Sequence, residues 1–150
     1  MAPLIIKKSI LVNAPASKLW KVLTKPDLTK KYMFGSEVHS DWEIGSSIEW
    51  KGIIDNKETV LVKGKIIEID PEKHLVYSTF DPQGGLPDIP ENYLSVTYNI
   101  SSQNNQTQLT VIQGDFSTVA EGPDRFDDAV KGWEATLPEI KTVAETEQEC

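Results

Sequence analysis

Residues 122–144, GPDRFDDAVKGWEATLPEIKTVA, decide the fold. Phe126, Val130, Trp133, Leu137, Ile140 and Ala144 recur at alternating steps of four and three, which puts them on one stripe of an α-helix. Pro123 suits the first helical position, where its missing N–H would find no partner anyway. Asp124, Asp127 and Asp128 crowd the first turns, where the helix dipole favours negative charge, and Lys131 and Lys141 follow later. Pro138 deprives the Glu134 carbonyl of its usual partner, so a bend is expected there, the alternative being two shorter helices. A stripe with a Trp at its middle must lie on something apolar. Almost everything before it reads as strand, so the expected support is a curved sheet.

Working outward, residues 5–13 read as a first strand. Ala16, Leu19, Trp20 and Leu23 then have helical spacing. Thr24-Lys25-Pro26 ends that helix, and Pro26 opens a second that continues to Tyr32. Trp20, Tyr32, Met33 and Phe34 form a dense apolar set, expected to be core beneath these helices or, for some of them, the mouth of a pocket. From Ser36 onward the punctuation is that of antiparallel strands. They are expected over 37–41, 47–54, 58–69, 74–80, 93–100 and 107–116, with Gly64 marking a bend or bulge. Residues 81–92 carry Pro82, Gly84, Gly85, Pro87 and Pro90 and are expected to be a long irregular surface loop, either a mobile lid or a tolerated insertion. The polar residues 101–106 read as a hairpin loop. The order is therefore strand, two short helices, about six strands, long helix: an α+β fold of one domain over 1–150, with 145–150 as a disordered tail.

The chain carries 15 basic and 23 acidic residues, a formal charge of −8. That disfavours nucleic acid and anionic membrane surfaces as partners. Lys18, Lys21, Lys25, Lys30 and Lys31 nevertheless cluster, and the plain reading is a solvated helix face. No apolar run approaches the ~20 residues that span a bilayer, and Met1–Ile6 lacks the pattern of a secretory leader. A cytoplasmic protein, monomeric by default, is the expectation. The single Cys, Cys150, allows no internal disulfide and no Cys-based zinc site.

A single helix cannot fill the concave side of a wide, twisted sheet, so space is expected between them, towards the two short helices. The inner wall is expected to carry Trp50, Val62, Tyr77, Tyr98, Val111 and Gln113, faced by Phe126, Val130 and Trp133 from the helix. By strict alternation Glu68 shares the face of Val60, Val62, Gly64 and Ile66, and on the inner face it would be a carboxylate with a raised pKa or a partner. A bulge near Gly64 would instead turn it to solvent. No catalytic residue is assigned. His39 and His74 lie on different strands without metal-ligand spacing, Gly84-Gly85 lacks the following helix of a phosphate loop, and no Gly-x-Ser-x-Gly elbow occurs. No metal and no cofactor is expected.

Four segments resemble a known family. They are Asn13-Ala14-Pro15 with Leu19-Trp20 and Leu23-Thr24-Lys25-Pro26; Asp41-Trp42-Glu43-Ile44-Gly45-Ser46 leading to Ile48 and Trp50; Gly64-Lys65-Ile66-Ile67-Glu68-Ile69-Asp70-Pro71 with Leu75-Val76-Tyr77; and Val96-Thr97-Tyr98, Thr107-Gln108-Leu109-Thr110-Val111 and Gly132-Trp133 with Leu137. Their ordered set resembles the AHSA-type domains, named after the activator of the ninety-kilodalton heat-shock chaperone's ATPase, within the START-like SRPBCC superfamily. The resemblance implies a helix-grip fold, in which a curved antiparallel sheet of about six to seven strands wraps the C-terminal helix and a cavity opens between them. Members of the superfamily bind lipids, hormones and polyketide-like molecules. The family's last strand usually ends with a His near the position of Gln113, and this chain departs from it. The leading expectation is non-enzymatic binding of a small hydrophobic molecule. The second is a protein-interaction module, co-chaperone-like or regulatory, docking through the 18–31 face or the 81–92 loop. The third is an enzyme on a polyketide-like substrate, with Glu68 or a Tyr as acid-base.

Overall fold

The computed structural model describes residues 3–33, 35–82, 85–104 and 106–146. Phe34, Gly84 and Cys150, named above, lie outside them. The elements are β1 (Ile6–Val12), α1 (Ala16–Thr24), α2 (Pro26–Thr29), β2 (Glu37–Ser40), β3 (Ser47–Ile54), β4 (Lys57–Asp70), β5 (His74–Thr79), β6 (Leu94–Gln103), β7 (Gln106–Gly114) and α3 (Gly122–Thr146). The seven strands form one antiparallel sheet in the order β1-β7-β6-β5-β4-β3-β2. Strands β2 to β7 are a meander, and β1 returns to lie beside β7. With α3 against the sheet, this is the α+β helix-grip architecture.

Alternation explains the sheet's two faces. Along β6, Leu94, Val96, Tyr98 and Ile100 are buried, whereas the residues between them are half-buried or exposed. Buried Leu109 and Val111 do the same on β7. The 14-residue strand β4 cannot follow the curve without interruption. Its register slips twice: Trp50 pairs with Val62 but Lys51 with Val60, and Ile66 pairs with Tyr77 but Glu68 with Val76. Leu61 and Ile67 are therefore extra residues, each a bulge that bends the strand. Between the bulges Gly64 lies so close to β5 that an added Cβ would sit 1.7 Å from the Ser78 carbonyl oxygen. The Lys65 N–H donates to Ser78 Oγ at 3.0 Å instead of to a strand carbonyl.

The helical stripe lands as its spacing requires. Trp133, Leu137, Ile140 and Ala144 are buried, with Ile140 fully so, while Phe126 and Val130 are half-buried. Burying each large apolar side chain contributes ~1.5–3 kcal/mol. α3 runs through Pro138 as one helix, so the alternative of two shorter helices does not hold. Its C-terminal half is tied to β1: Lys141 Nζ donates to the Leu11 carbonyl at 3.0 Å, and the Asn13 N–H donates to Glu145 Oε2 at 2.7 Å. Glu145 and Thr146 are thus helical, against the expectation of a tail from residue 145, and 147–150 lie outside the described residues.

The short helices are pinned by side chains. Thr29 Oγ1, wholly buried, accepts from the Val38 N–H at 3.1 Å and so fastens α2 to β2. The Tyr32 hydroxyl donates to the Val22 carbonyl at 2.8 Å from within the core. α2 stops at Thr29 rather than reaching Tyr32. In the lysine cluster Lys21, Lys25, Lys30 and Lys31 are exposed as a solvated face would be, but Lys18 has its stem buried.

Candidate ligand-binding cavity

The C-terminal half of α3 packs down on the sheet, and the N-terminal half spans a gap. There a cavity of about 430 Å³ lies between the two layers. The sheet supplies Trp50 from β3, Val62 from β4, Tyr77 from β5, Leu94 and Val96 from β6, and Gln113 from β7. α3 supplies Arg125, Asp128, Ala129 and Trp133. Met33, Thr79, Phe80, Asp81 and Phe116 close the ends.

Five of the residues expected to face the space therefore meet here, Trp50, Val62, Tyr77, Gln113 and Trp133, and Met33, from the set expected in the core or at a pocket mouth, joins them. Tyr98 and Val111 face inward but are sealed in the core, 1% and 0% exposed, and do not border the space. Phe126 packs edge-on against Phe116, ring centroids 5.6 Å apart, and Val130 is half-buried away from the wall. The reason is rotational. The cavity face of α3 is Arg125, Asp128, Ala129 and Trp133, which is turned from the apolar stripe and shares only Trp133 with it. Arg125 and Ala129 escaped notice because a charge and a small side chain do not mark a buried face.

The polar groups of the wall are mutually engaged. Trp133 Nε1–H donates to Gln113 Oε1 at 2.8 Å. The Tyr77 and Tyr98 hydroxyls lie 3.0 Å apart, their rings edge-on. Burial holds the Tyr77 phenol well above its usual range and pushes Tyr98 up to about 12, so both stay protonated at neutral pH. Arg125, half-buried, donates from Nη1 to the Ala120 carbonyl at 3.3 Å and from Nη2 to the Asn92 carbonyl at 3.4 Å. Burial lowers its pKa, and this outweighs the opposing pull of Asp81 and Glu121.

Residues 85–92 of the loop are fastened more firmly than their composition implies. They end in a 3-10 turn, Pro90–Asn92. Asn92, 4% exposed, donates its side-chain N–H to the Pro87 carbonyl at 2.9 Å and accepts from the Ala120 N–H at 3.3 Å. Tyr93 stacks on Phe80 at 5.0 Å and donates to Asp88 Oδ1 at 2.7 Å, while Lys63 pairs with the same carboxylate.

A family model described as Activator of Hsp90 ATPase homolog 1-like protein (AHSA1) matches residues 13–145. The chain belongs to this family. MLP-like protein 43 of Arabidopsis thaliana is 30% identical over 122 residues, 77% of this chain and 70% of that protein. The solution structure of ChR145 from Cytophaga hutchinsonii is 34% identical, covers 95% of this chain and 99% of its own, and superposes with a TM-score of 0.70. The Aha1 dimer from Colwellia psychrerythraea, 18% identical, covers 99% of this chain and 100% of its own, with a TM-score of 0.72, and shares the fold.

In this AHSA1 chain Glu68 lies apart from the cavity. The bulge at Ile67 sets it opposite Val76 on the outer face, where it is exposed. There His74 Nε2 lies 2.8 Å from Glu68 Oε2 and Nδ1 lies 2.6 Å from Asn99 Oδ1. An imidazole between two oxygen acceptors can satisfy both only when doubly protonated. The His74 pKa is accordingly raised, by Glu68 first and Asn99 second. A raised folded-state pKa stabilises below the unfolded value near 6.5, and the gain is lost as pH rises through the folded value. Glu68→Gln should therefore cost more at pH 5.5 than at pH 8.5. Solvent screening keeps the difference below ~1 kcal/mol. Urea midpoints at the two pH values check this, and a larger loss at pH 8.5 reverses the sign. Among the described residues of the AHSA1 chain, no group of three or more His, Cys, Asp or Glu is placed to hold a metal. None of its described helices is long and apolar enough to cross a membrane.

Proposed function

We propose that this chain binds a small hydrophobic molecule, lipid-like or polyketide-like, in the cavity beneath the N-terminal half of α3, without transforming it. The observation that carries the reading is the size and lining of that space. About 430 Å³ lies within the range of small-molecule sites, with an apolar wall of Trp50, Val62, Leu94, Val96, Phe116 and Trp133 and polar groups from Tyr77, Gln113 and Arg125 beside it. Burying ~200 Å² of apolar ligand surface there contributes ~5 kcal/mol before the costs of association. The test is native mass spectrometry of protein purified from cells without denaturation. A discrete small-molecule adduct, lost on denaturation, is expected. A clean apo mass, together with no saturable uptake of a neutral apolar dye such as Nile red, ends the proposal.

The family description favours one other reading, a module that acts on a chaperone ATPase. It requires stimulation of a purified ninety-kilodalton chaperone's ATP turnover by this chain, which pure ligand binding does not produce.

A further inference from the structure

The hydrogen-bond arithmetic of the cavity wall is one-sided. Trp133 Nε1–H can only donate, so the oxygen of the Gln113 amide must face it, and the NH₂ group is left without a partner among the described residues. The Tyr77 and Tyr98 hydroxyls own two hydrogens and share one bond. One hydrogen is left over; with Tyr98 as the donor of the pair it is that of Tyr77, the one of the two that borders the cavity. Arg125 has five N–H groups and spends two on backbone carbonyls. It is also the sole arginine of a chain with a formal charge of −8. Three of the wall's polar side chains thus hold unspent donors.

We propose that the guest is a hydrophobic carboxylic acid, its carboxylate paired with the Arg125 guanidinium and its further oxygens accepting from Gln113 and Tyr77. This deepens the binding proposal above and rests on it. A planar guanidinium matches a carboxylate in two parallel bonds. The two backbone carbonyls already hold the fork in place, so little order is lost on binding. The lowered Arg125 pKa points the same way, because burial leaves its charge under-compensated. Asp81 and Asp128 also border the cavity. With Arg125 they give the lining a formal charge of −1 (one guanidinium, two carboxylates), so a monoanion is held by direct pairing with Arg125, and a dianion such as a phosphate monoester meets the stronger repulsion.

The experiment is displacement of Nile red, a neutral probe, by decanoic acid, methyl decanoate, 1-decanol and decylamine at pH 7.5, with the wild-type chain and with Arg125→Gln and Arg125→Lys. The acid should bind at least ~10-fold more tightly than the ester or the alcohol. Arg125→Gln should bring the acid within ~2-fold of the alcohol, the acid losing far more affinity than the alcohol does. Arg125→Lys should retain part of the preference, since it keeps the charge and loses the fork, and it reports on the site should Arg125→Gln fail to fold. Equal affinity for acid and alcohol in the wild type overturns the carboxylate assignment and leaves the cavity proposal standing. Preference for the amine overturns it too, because the acidic rim would then govern. Displacement by none of the four, with no bound molecule in the native mass spectrum, removes the cavity reading itself.

Discussion

Gly64→Ala should destabilise the fold by roughly 2–4 kcal/mol, because the new methyl group meets backbone rather than a movable side chain. The added Cβ would stand 1.7 Å from the Ser78 carbonyl oxygen, 2.4 Å from its carbon and 2.9 Å from Oγ. Relief requires β4 and β5 to part. That would break the Lys65 N–H bond to Ser78 Oγ and strain the Lys63–Phe80 bridge, whose two N–H···O contacts are 2.9 and 2.7 Å. Gly132→Ala in α3 is the matched control. A Cβ there meets nothing within 4 Å, and a helix interior prefers Ala to Gly by up to ~1 kcal/mol. Urea unfolding of the two variants should move in opposite directions. A Gly64→Ala midpoint indistinguishable from wild type would show that the two strands are not held this close.

Ala129→Trp should abolish ligand uptake while leaving the protein folded. Ala129 borders the cavity from α3, between Arg125 and Trp133 on the same face, so an indole added there grows into empty space. The bound molecule should vanish from the native mass spectrum, and affinity for an apolar acid should fall by ~100-fold or more. The stability cost should stay below the ~1–3 kcal/mol of overpacking a filled core. Val130→Trp makes the comparison. Its side chain is half-buried but outside the cavity lining, so it should bear the overpacking cost and keep its ligand. Unchanged binding by Ala129→Trp, with a stability loss matching that of Val130→Trp, would place the guest elsewhere.

Much of the fold was legible because the apolar pattern is strong where packing is two-sided. The expected strand at 47–54 coincides with β3, and the stripe from Trp133 to Ala144 is the buried face of α3. Boundaries slipped where polar residues carry the ladder. β6 runs on to Gln103 and β7 begins at Gln106, inside what reads as a polar loop. Strict alternation failed at Glu68, and the other reading, a bulge near Gly64 that turns it to solvent, is the one the structure bears out, with Ile67 as the extra residue. The cavity was foreseen in place but only half in composition. Gln113, Tyr77 and Trp133 announce themselves by chemistry. Arg125 does not, since a lone charge near a helix start reads as solvated. It is held by the Ala120 carbonyl, just before the helix, and by the Asn92 carbonyl, which lies 33 residues away in the chain.

The seat of β1 also sets a timetable. Ser9 meets Thr110 across the β1–β7 ladder, 101 residues later in the chain. At ~5–20 residues per second of synthesis, the first strand therefore waits ~5–20 s on the ribosome for the strand it pairs with. Throughout that interval Ile6, Ile10 and Val12 have neither ladder nor α3 to cover them, so this strand is the stretch most open to capture by chaperones, or to mispairing, while the rest is made.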